Sequence, residues 1–285
     1  MKFQTVIYTP RGPIHDGDSA PLPVAIRMIT EIIASRELIW ILFSRDFRAR
    51  HRQSLLGVAW AVLEPLFVVG AFVFMNRSGI FVVADVGVPY ALYALTGLTI
   101  WHIFSSGVTA CSVVLIDAGS MISKINLPRA ALIFAAFGRG AAEFIIRLIL
   151  TAAAFVWYGV TPGFASLIFG AASLLPLCLL TVGIGFIVSM VAAIFRDVVN
   201  ATGLILSGLL VLSPILYPLP KGSLLADANA FNPFTYLINI PRDLVLYGRS
   251  HDLAAYLLAA LFSLFVFATG WRLFHVAQPH IAERI

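Results

Sequence analysis

Six apolar runs, each about as long as a bilayer is thick, limit what this chain of 285 residues can become. They fall at about residues 55–75, 88–111, 138–158, 167–194, 200–217 and 253–274. A helix of about 20 apolar residues crosses the hydrocarbon core. Composition points the same way: 60% of residues are apolar, 12% are charged and mean hydropathy is +0.94, where soluble domains carry roughly 25% charged residues. The expected fold is therefore all-α and integral to a membrane, with six transmembrane helices and both termini on one side.

Lysine and arginine near span ends stay in the cytoplasm, and their distribution assigns that side. With both termini inside, the cytoplasmic segments hold fourteen: Lys2, Arg11, Arg27, Arg36, Arg45, Arg48, Arg50, Arg52, Lys124, Arg129, Arg139, Arg196, Arg272 and Arg284. The outer face holds four, Arg77, Lys221, Arg242 and Arg249, and Arg147 falls within the third run. The basic balance thus reflects orientation and anionic lipid, and gives no support to a nucleic-acid partner. Residues 1–25 contain Pro10, Pro13, Pro21 and Pro23 without an apolar core, so they read as a loose cytoplasmic tail and not a secretory signal. Residues 276–285 read as a second cytoplasmic tail. Cys111 and Cys178 both fall in spans without metal-ligand spacing, so neither a disulfide framework nor a metal site is expected. His102 stands alone in the second span and reads as a packed or hydrogen-bonded side chain.

Between tail and first span, in the region 26–54, Ile39, Phe43 and Phe47 recur every four residues beside Leu38 and Leu42, while Arg45, Arg48 and Arg52 form a separate row. That pattern predicts an amphipathic helix lying in the headgroup layer, apolar face down. The first span carries Glu64 followed by Pro65. A carboxylate at that depth is expensive and needs a partner, and the proline removes a backbone hydrogen bond. Arg139, Glu143 and Arg147 repeat every four residues on the third span and so share a face. An intramembrane ion network joining Glu64 to that face is expected, with Arg147 as the partner because it lies deepest. Structural pairing and a gating role both remain open.

The amphipathic segment followed by LLGVAWAVLEPL at 55–66 resembles the start of the membrane subunits of bacterial polysaccharide ABC exporters, the type-2 export class that moves O-antigen, capsule and teichoic acid. SKINLPRAAL at 123–132, IFRDV at 194–198, and SPILYPLP and FNPFTYLINIPRDLVLYG at 213–220 and 231–248 follow in the order of that family. The resemblance runs from about residue 30 to 275. It implies a homodimer in the inner membrane that recruits two copies of a cytoplasmic ABC ATPase and conducts a lipid-linked polysaccharide, in lipopolysaccharide or capsule biosynthesis. ATP and magnesium would belong to the ATPase: a phosphate-binding loop needs Gly-Lys-Ser/Thr, and none of the three lysines here follows a glycine.

The resemblance also implies roles for particular residues. Residues 117–129 match the position of a coupling helix that docks the ATPase. Met121, Ile122 and Leu127 with Lys124 suit a short helix in a groove, and Pro128 would end it. Arg196 and Asp197, at the turn after the fourth span, either mark the membrane edge or transmit ATPase closure. The proline-interrupted segment 218–252 would form short external gate helices, tolerated where protein or water satisfies the backbone. There Asn232, Tyr236, Asn239, Arg242 and Asp243 could meet sugar hydroxyls, although a simple surface lid would fit the same segment equally well. Phe67, Phe72 and Phe74 on the first span and Tyr217 after the fifth are candidates to line a conduit, aromatic faces letting pyranose rings slide. Most of the other aromatics would be lipid-facing or interfacial anchors.

Three other readings compete. A type-2 exporter of a drug or small lipid would share span count and ATPase dependence, but lacks the amphipathic helix and LEPL. A membrane enzyme acting on lipid-linked sugars would need clustered acids or histidines at a membrane edge, whereas the carboxylates here are scattered. A proton-coupled secondary transporter would be expected to show an internal repeat, and none is visible.

Overall fold

The structure is a computed structural model describing residues 7–9, 12–14, 30, 32–52, 59–80, 85–119, 128–219 and 222–281. It is helical apart from one hairpin, in which Ile7–Thr9 (β1) and Gly12–Ile14 (β2) pair antiparallel with Tyr8 opposite Pro13. The expected loose tail therefore contains a local hairpin.

Five helices or helix pairs among the described residues are long and apolar enough to cross a membrane. Three of them are α2 (Trp60–Arg77), α3 (Tyr90–Asp117) and α4 (Arg129–Trp157). The fourth is the consecutive pair α5 (Phe164–Ala172) and α6 (Leu175–Ile194), and the fifth is the apolar part of α10 (Leu253–Ile281). Preceding them is α1 (Arg36–Arg52), and α7 (Asp197–Leu212), α8 (Leu224–Asn229) and α9 (Pro233–Tyr247) lie between α6 and α10. The chain is a multi-pass membrane protein.

Two helix limits differ from expectation for clear reasons. The third span begins at Arg129, well before 138, because Pro128 stands at its N-cap and Ala131, Leu132, Ile133, Ala135 and Ala136 are already buried in its first turns. The fifth run reaches only 16 residues as helix: Ser213 is extended and Pro214 follows, so α7 stops at Leu212 where a continuing helix would meet the ring.

At the centre lies α3, packed by α4, α6, α2, α7 and α9. Close approaches between helices are made through missing side chains. A methyl group on Gly140 of α4 would sit 2.9 Å from the Gly107 nitrogen of α3, and one on Gly183 of α6 would sit 2.6 Å from the Phe267 Cα of α10. Backbones can approach this closely only where small residues face each other, the packing that substitutes for a hydrophobic driving force in lipid. Buried hydroxyls are satisfied within their own helices: Thr96 donates to the Leu92 carbonyl, Thr181 to Leu177 and Ser263 to Ala259. These bonds remove the penalty of an orphan donor in the core. At the end of the bundle beside α1, Phe186 and Trp271 stack at 6.3 Å with Phe134 edge-on, tying α6, α10 and α4 together.

The fourth span is interrupted between α5 and α6. Pro176, in the first turn of α6, has no N–H for the Ala172 carbonyl, and the break is held by Ser173. Its hydroxyl donates to the Gly170 carbonyl at 2.7 Å, while its own carbonyl accepts from the Tyr256 hydroxyl of α10 at 2.9 Å.

Candidate functional site

Three clusters of polar side chains are built into this apolar bundle, and they divide the sequence candidates differently from expectation. The first lies where α2, α3 and α4 meet. Arg147 of α4 donates from Nη2 to Glu64 of α2 at 3.0 Å and from Nη1 to Glu143 at 3.3 Å. Its side chain is 4% exposed while that of Glu64 is 55% exposed. The guanidinium is thus the buried anchor, and Glu64 reaches in to it from an open helix face. One turn further along, Thr151 donates to the Arg147 carbonyl and shares a hydrogen bond of 2.8 Å with Thr99 of α3. His102 is buried alongside. Its Nδ1 lies 3.4 Å from the Ser105 hydroxyl, and Ser106 donates to its carbonyl.

Arg139 belongs to a different cluster, which corrects the expectation of one continuous network along α4. Its Nη1 lies 3.6 Å from the Asp46 carboxylate of α1, and its Nη2 donates to the Ala110 carbonyl. Asp46 also accepts from Arg45, and these residues with Asp117 and Leu132 line a cavity of about 170 Å³. Two turns separate Arg139 from Arg147, about 12 Å of rise, so the two guanidiniums serve different neighbours. The arginine row on α1 hid the relevant signal, a lone aspartate within it. Leu38, Ile39, Leu42 and Phe43 pack against the α3–α4 core, Phe43 fitting at Gly138, while Trp40 and Ile41 face outward. A helix does form at Arg36–Arg52, and its row of Leu38, Ile39, Leu42 and Phe43 is packed against protein.

The third cluster sits in the segment between α7 and α10. Arg242 of α9 is 3% exposed. Its Nη1 donates to the Pro214 and Ile215 carbonyls, its Nη2 to Asn239 at 2.8 Å and its Nε to Asp243 at 3.4 Å. Its guanidinium also lies 3.8 Å over the Tyr93 ring of α3. Arg242, a candidate for meeting sugar hydroxyls, is here engaged by the protein itself and serves the carbonyls left open where α7 stops. Asn239 is engaged in the same way. Burial pushes the Asp243 carboxyl up from its ordinary value, while Arg242 pulls it down. Asn232 is similarly structural, accepting from the Phe234 N–H as the cap of α9 and donating to Ser213 and Asn229. Asn229, absent from the sequence candidates, ties α8 to the α7 end by donating to the Leu212 carbonyl at 2.9 Å. Tyr236 donates to the Ala230 carbonyl, and Tyr217 donates to the Val211 carbonyl.

The aromatic candidates separate by face. Phe72 packs into the core beside α3, whereas Phe67 and Phe74 are 79% and 69% exposed. Seven residues apart, the latter two lie on one side of α2, with Trp60 and Leu63 also exposed. Leu204, Ile205, Val211 and Leu212 are exposed along α7. Arg196 caps the N-terminus of α7 and Asp197 occupies its first turn, both exposed, with the carboxylate at the helix end that favours it. Met121, Ile122, Lys124 and Leu127 lie outside the described residues, and Pro128 caps α4. Among the described residues no group of three or more histidines, cysteines or acids is placed to hold a metal ion.

Residues 37–246 match the ABC-2 type transporter family, to which the chain belongs. It is similar to the O-antigen export system permease protein RfbA of Myxococcus xanthus, 24% identical over 91% of this chain and 100% of that one. A Klebsiella pneumoniae protein of the same name is 26% identical over 74% of this chain and 81% of its own length. The polysialic acid transport protein KpsM of Escherichia coli is 26% identical over 83% and 92%.

Proposed function

We propose that the chain is the transmembrane subunit of an ATP-driven exporter that moves lipid-linked polysaccharide, of O-antigen, capsular or teichoic-acid type, across a bacterial inner membrane. The observation that carries this reading is the similarity to O-antigen and polysialic acid permeases over most of both chains. In the working complex two copies pair, each with a cytoplasmic ATPase that binds ATP and magnesium. α7 serves as the sixth span, so both termini are cytoplasmic, as the arginine distribution requires. The exposed faces of α2 and α7 flank the conduit, and α8 and α9 close its outer end. Residues 117–129, with Lys124 at their centre, dock the ATPase, and Arg196 and Asp197 lie at the second cytoplasmic turn.

Deleting the gene should abolish surface polysaccharide and cause lipid-linked chains to accumulate inside, with restoration by the intact chain. Unchanged surface polysaccharide would sink the reading. Lys124→Glu tests the docking step: loss of ATPase co-purification from a folded, inserted permease is expected, and full recovery of the ATPase would remove Lys124 from it.

A further inference from the structure

The cavity between α1, α3 and α4 is not used by the proposed function. Val114, Ala118 and Leu132 are buried and form its floor, and charged side chains stand around it, Arg45 and Asp46 from α1, Asp117 from α3 and Arg139 from α4. Its volume of about 170 Å³ far exceeds the roughly 10–15 Å³ that admits one water, so it can hold a group of several heavy atoms. α3 and α4 have 28 and 29 residues, or about 42–44 Å of rise, against a hydrocarbon core of about 30 Å. Their ends therefore project into the headgroup layer. The cavity lies at such an end, beside the last residue of α3 and the first turns of α4.

Two groups around it are left without a close partner of opposite charge. The Arg139 Nη1 lies 3.6 Å from Asp46 Oδ2, longer than a hydrogen bond, while Asp46 Oδ1 accepts from Arg45 at 2.9 Å. Asp117 is exposed and makes no hydrogen bond or ion pair with any described residue. It ends α3, where the helix adds partial negative charge of its own. One corner of the cavity thus calls for an anionic acceptor, which for a guanidinium is well met by phosphate, and another for a cation. A phosphate group without a cation would meet Asp117 and Asp46 unfavourably, and an amine alone would leave Arg139 unused. On the outer side of α1, Ile41 stands one turn before Arg45 with Trp40 beside it, both exposed. They offer an apolar strip for an acyl chain, with a tryptophan at headgroup level.

We propose that this cavity binds the headgroup of a zwitterionic phospholipid of the phosphatidylethanolamine type. Its phosphate lies on Arg139 beside Arg45, its ammonium on Asp117, and one acyl chain along Ile41 and Trp40. The headgroup then ties α1 to the ends of α3 and α4, so that the hold on α1 weakens where this lipid is scarce. The inference needs only that α3 and α4 cross a membrane, and it stands or falls apart from the exporter reading.

The test is native mass spectrometry of the full chain in detergent, with equal amounts of phosphatidylethanolamine and phosphatidylglycerol of identical acyl chains. The ATPase is absent, so the docking segment that begins at residue 117 plays no part. Phosphatidylethanolamine should be retained roughly ten-fold more, the scale of one charge-assisted hydrogen bond. Asp117→Asn changes an exposed side chain with no described contact, so the chain should fold, and the preference should shrink to within about two-fold. Asp117→Lys should reverse it, and Arg139→Gln should weaken retention of both lipids. Glu37, an exposed acid on α1 that does not line the cavity, is the control, and Glu37→Gln should leave the preference unchanged. Equal retention of the two lipids by the unaltered chain, or a preference untouched by both Asp117 variants, would overturn the proposal. So would an equal loss in Glu37→Gln, which would reduce the effect to general surface charge, or displacement of the lipid by soluble phosphoethanolamine, which would assign the cavity to a free solute.

Discussion

The two buried arginines, Arg147 and Arg242, solve one problem in opposite ways. Each is almost wholly removed from solvent in an apolar bundle. Arg242 is satisfied mainly by neutral groups, two carbonyls, an amide oxygen and an aromatic face, with one carboxylate beside it. Its surroundings are complete, and it works as a clasp joining the end of α7, the face of α3 and the body of α9. Arg147 is held by charge, its two terminal nitrogens on Glu64 and Glu143, while its buried Nε has no hydrogen-bond partner among the described residues. Arg242 is closed in by a complete set of partners, whereas Arg147 ties α2 to α4 through carboxylates alone. The difference separates a residue that holds the fold from one that holds another residue in position.

Removing the base from the ionic cluster should have the largest effect. Arg147→Met removes the buried base that joins Glu64 to Glu143, and breaking a buried pair in this way costs about 3–5 kcal/mol. Thermal unfolding in detergent should show it as a marked loss of Tm, and a melting point near that of the wild type would mean that the acids are solvated and the cluster is not closed. Arg242→Lys should come next. The charge survives, but one ammonium cannot reach both carbonyls and Asn239, so about 1–3 kcal/mol is lost through unsatisfied acceptors. Proteolysis of the 218–252 segment should accelerate in this variant. If it does not, the clasp is not what holds that segment.

Tyr93→Leu removes only the aromatic face beneath Arg242, worth about 0.5–2 kcal/mol, and should weaken the same segment less. The smallest change is expected from Glu64→Gln. Arg147 keeps Glu143 as a partner, and a half-exposed pair contributes about 0–1 kcal/mol. Combined with Arg147→Met, its loss should be less than additive, and strict additivity would argue that the two side chains are not coupled.

The residues of the ionic cluster were visible in the sequence because helical geometry converts spacing into position. Glu64 and the four-residue repeat of Arg139, Glu143 and Arg147 fix depth and face without knowledge of the fold. Spacing could not reveal that α1 packs on α4 and presents Asp46 to Arg139, since that contact joins residues far apart in the sequence. The clasp was less legible still. Asn232 before Pro233 signals a helix start, but nothing local to Arg242 indicates that the chain after α7 returns beneath it and that Tyr93 lies opposite. Exposure of aromatics on α2 was equally hidden: Phe72 and Phe74 are two residues apart and a helix turns them to different neighbours. The coarse architecture followed from hydropathy, whereas the interruption at Pro176 lay unnoticed inside a single apolar run.

The close approach of α6 and α10 at Gly183 has a consequence for how the protein is made. Chains emerge from the ribosome N-terminus first, so α3, α4 and α6 enter the bilayer while α10 is still unsynthesised. Until it arrives, the notch at Gly183 and the Phe186 ring that Trp271 will cover are open to lipid. The bundle is therefore sealed from its C-terminal end, and a nascent chain arrested before residue 253 would present this notch to any quality-control protease that recognises unpaired helix faces in the membrane.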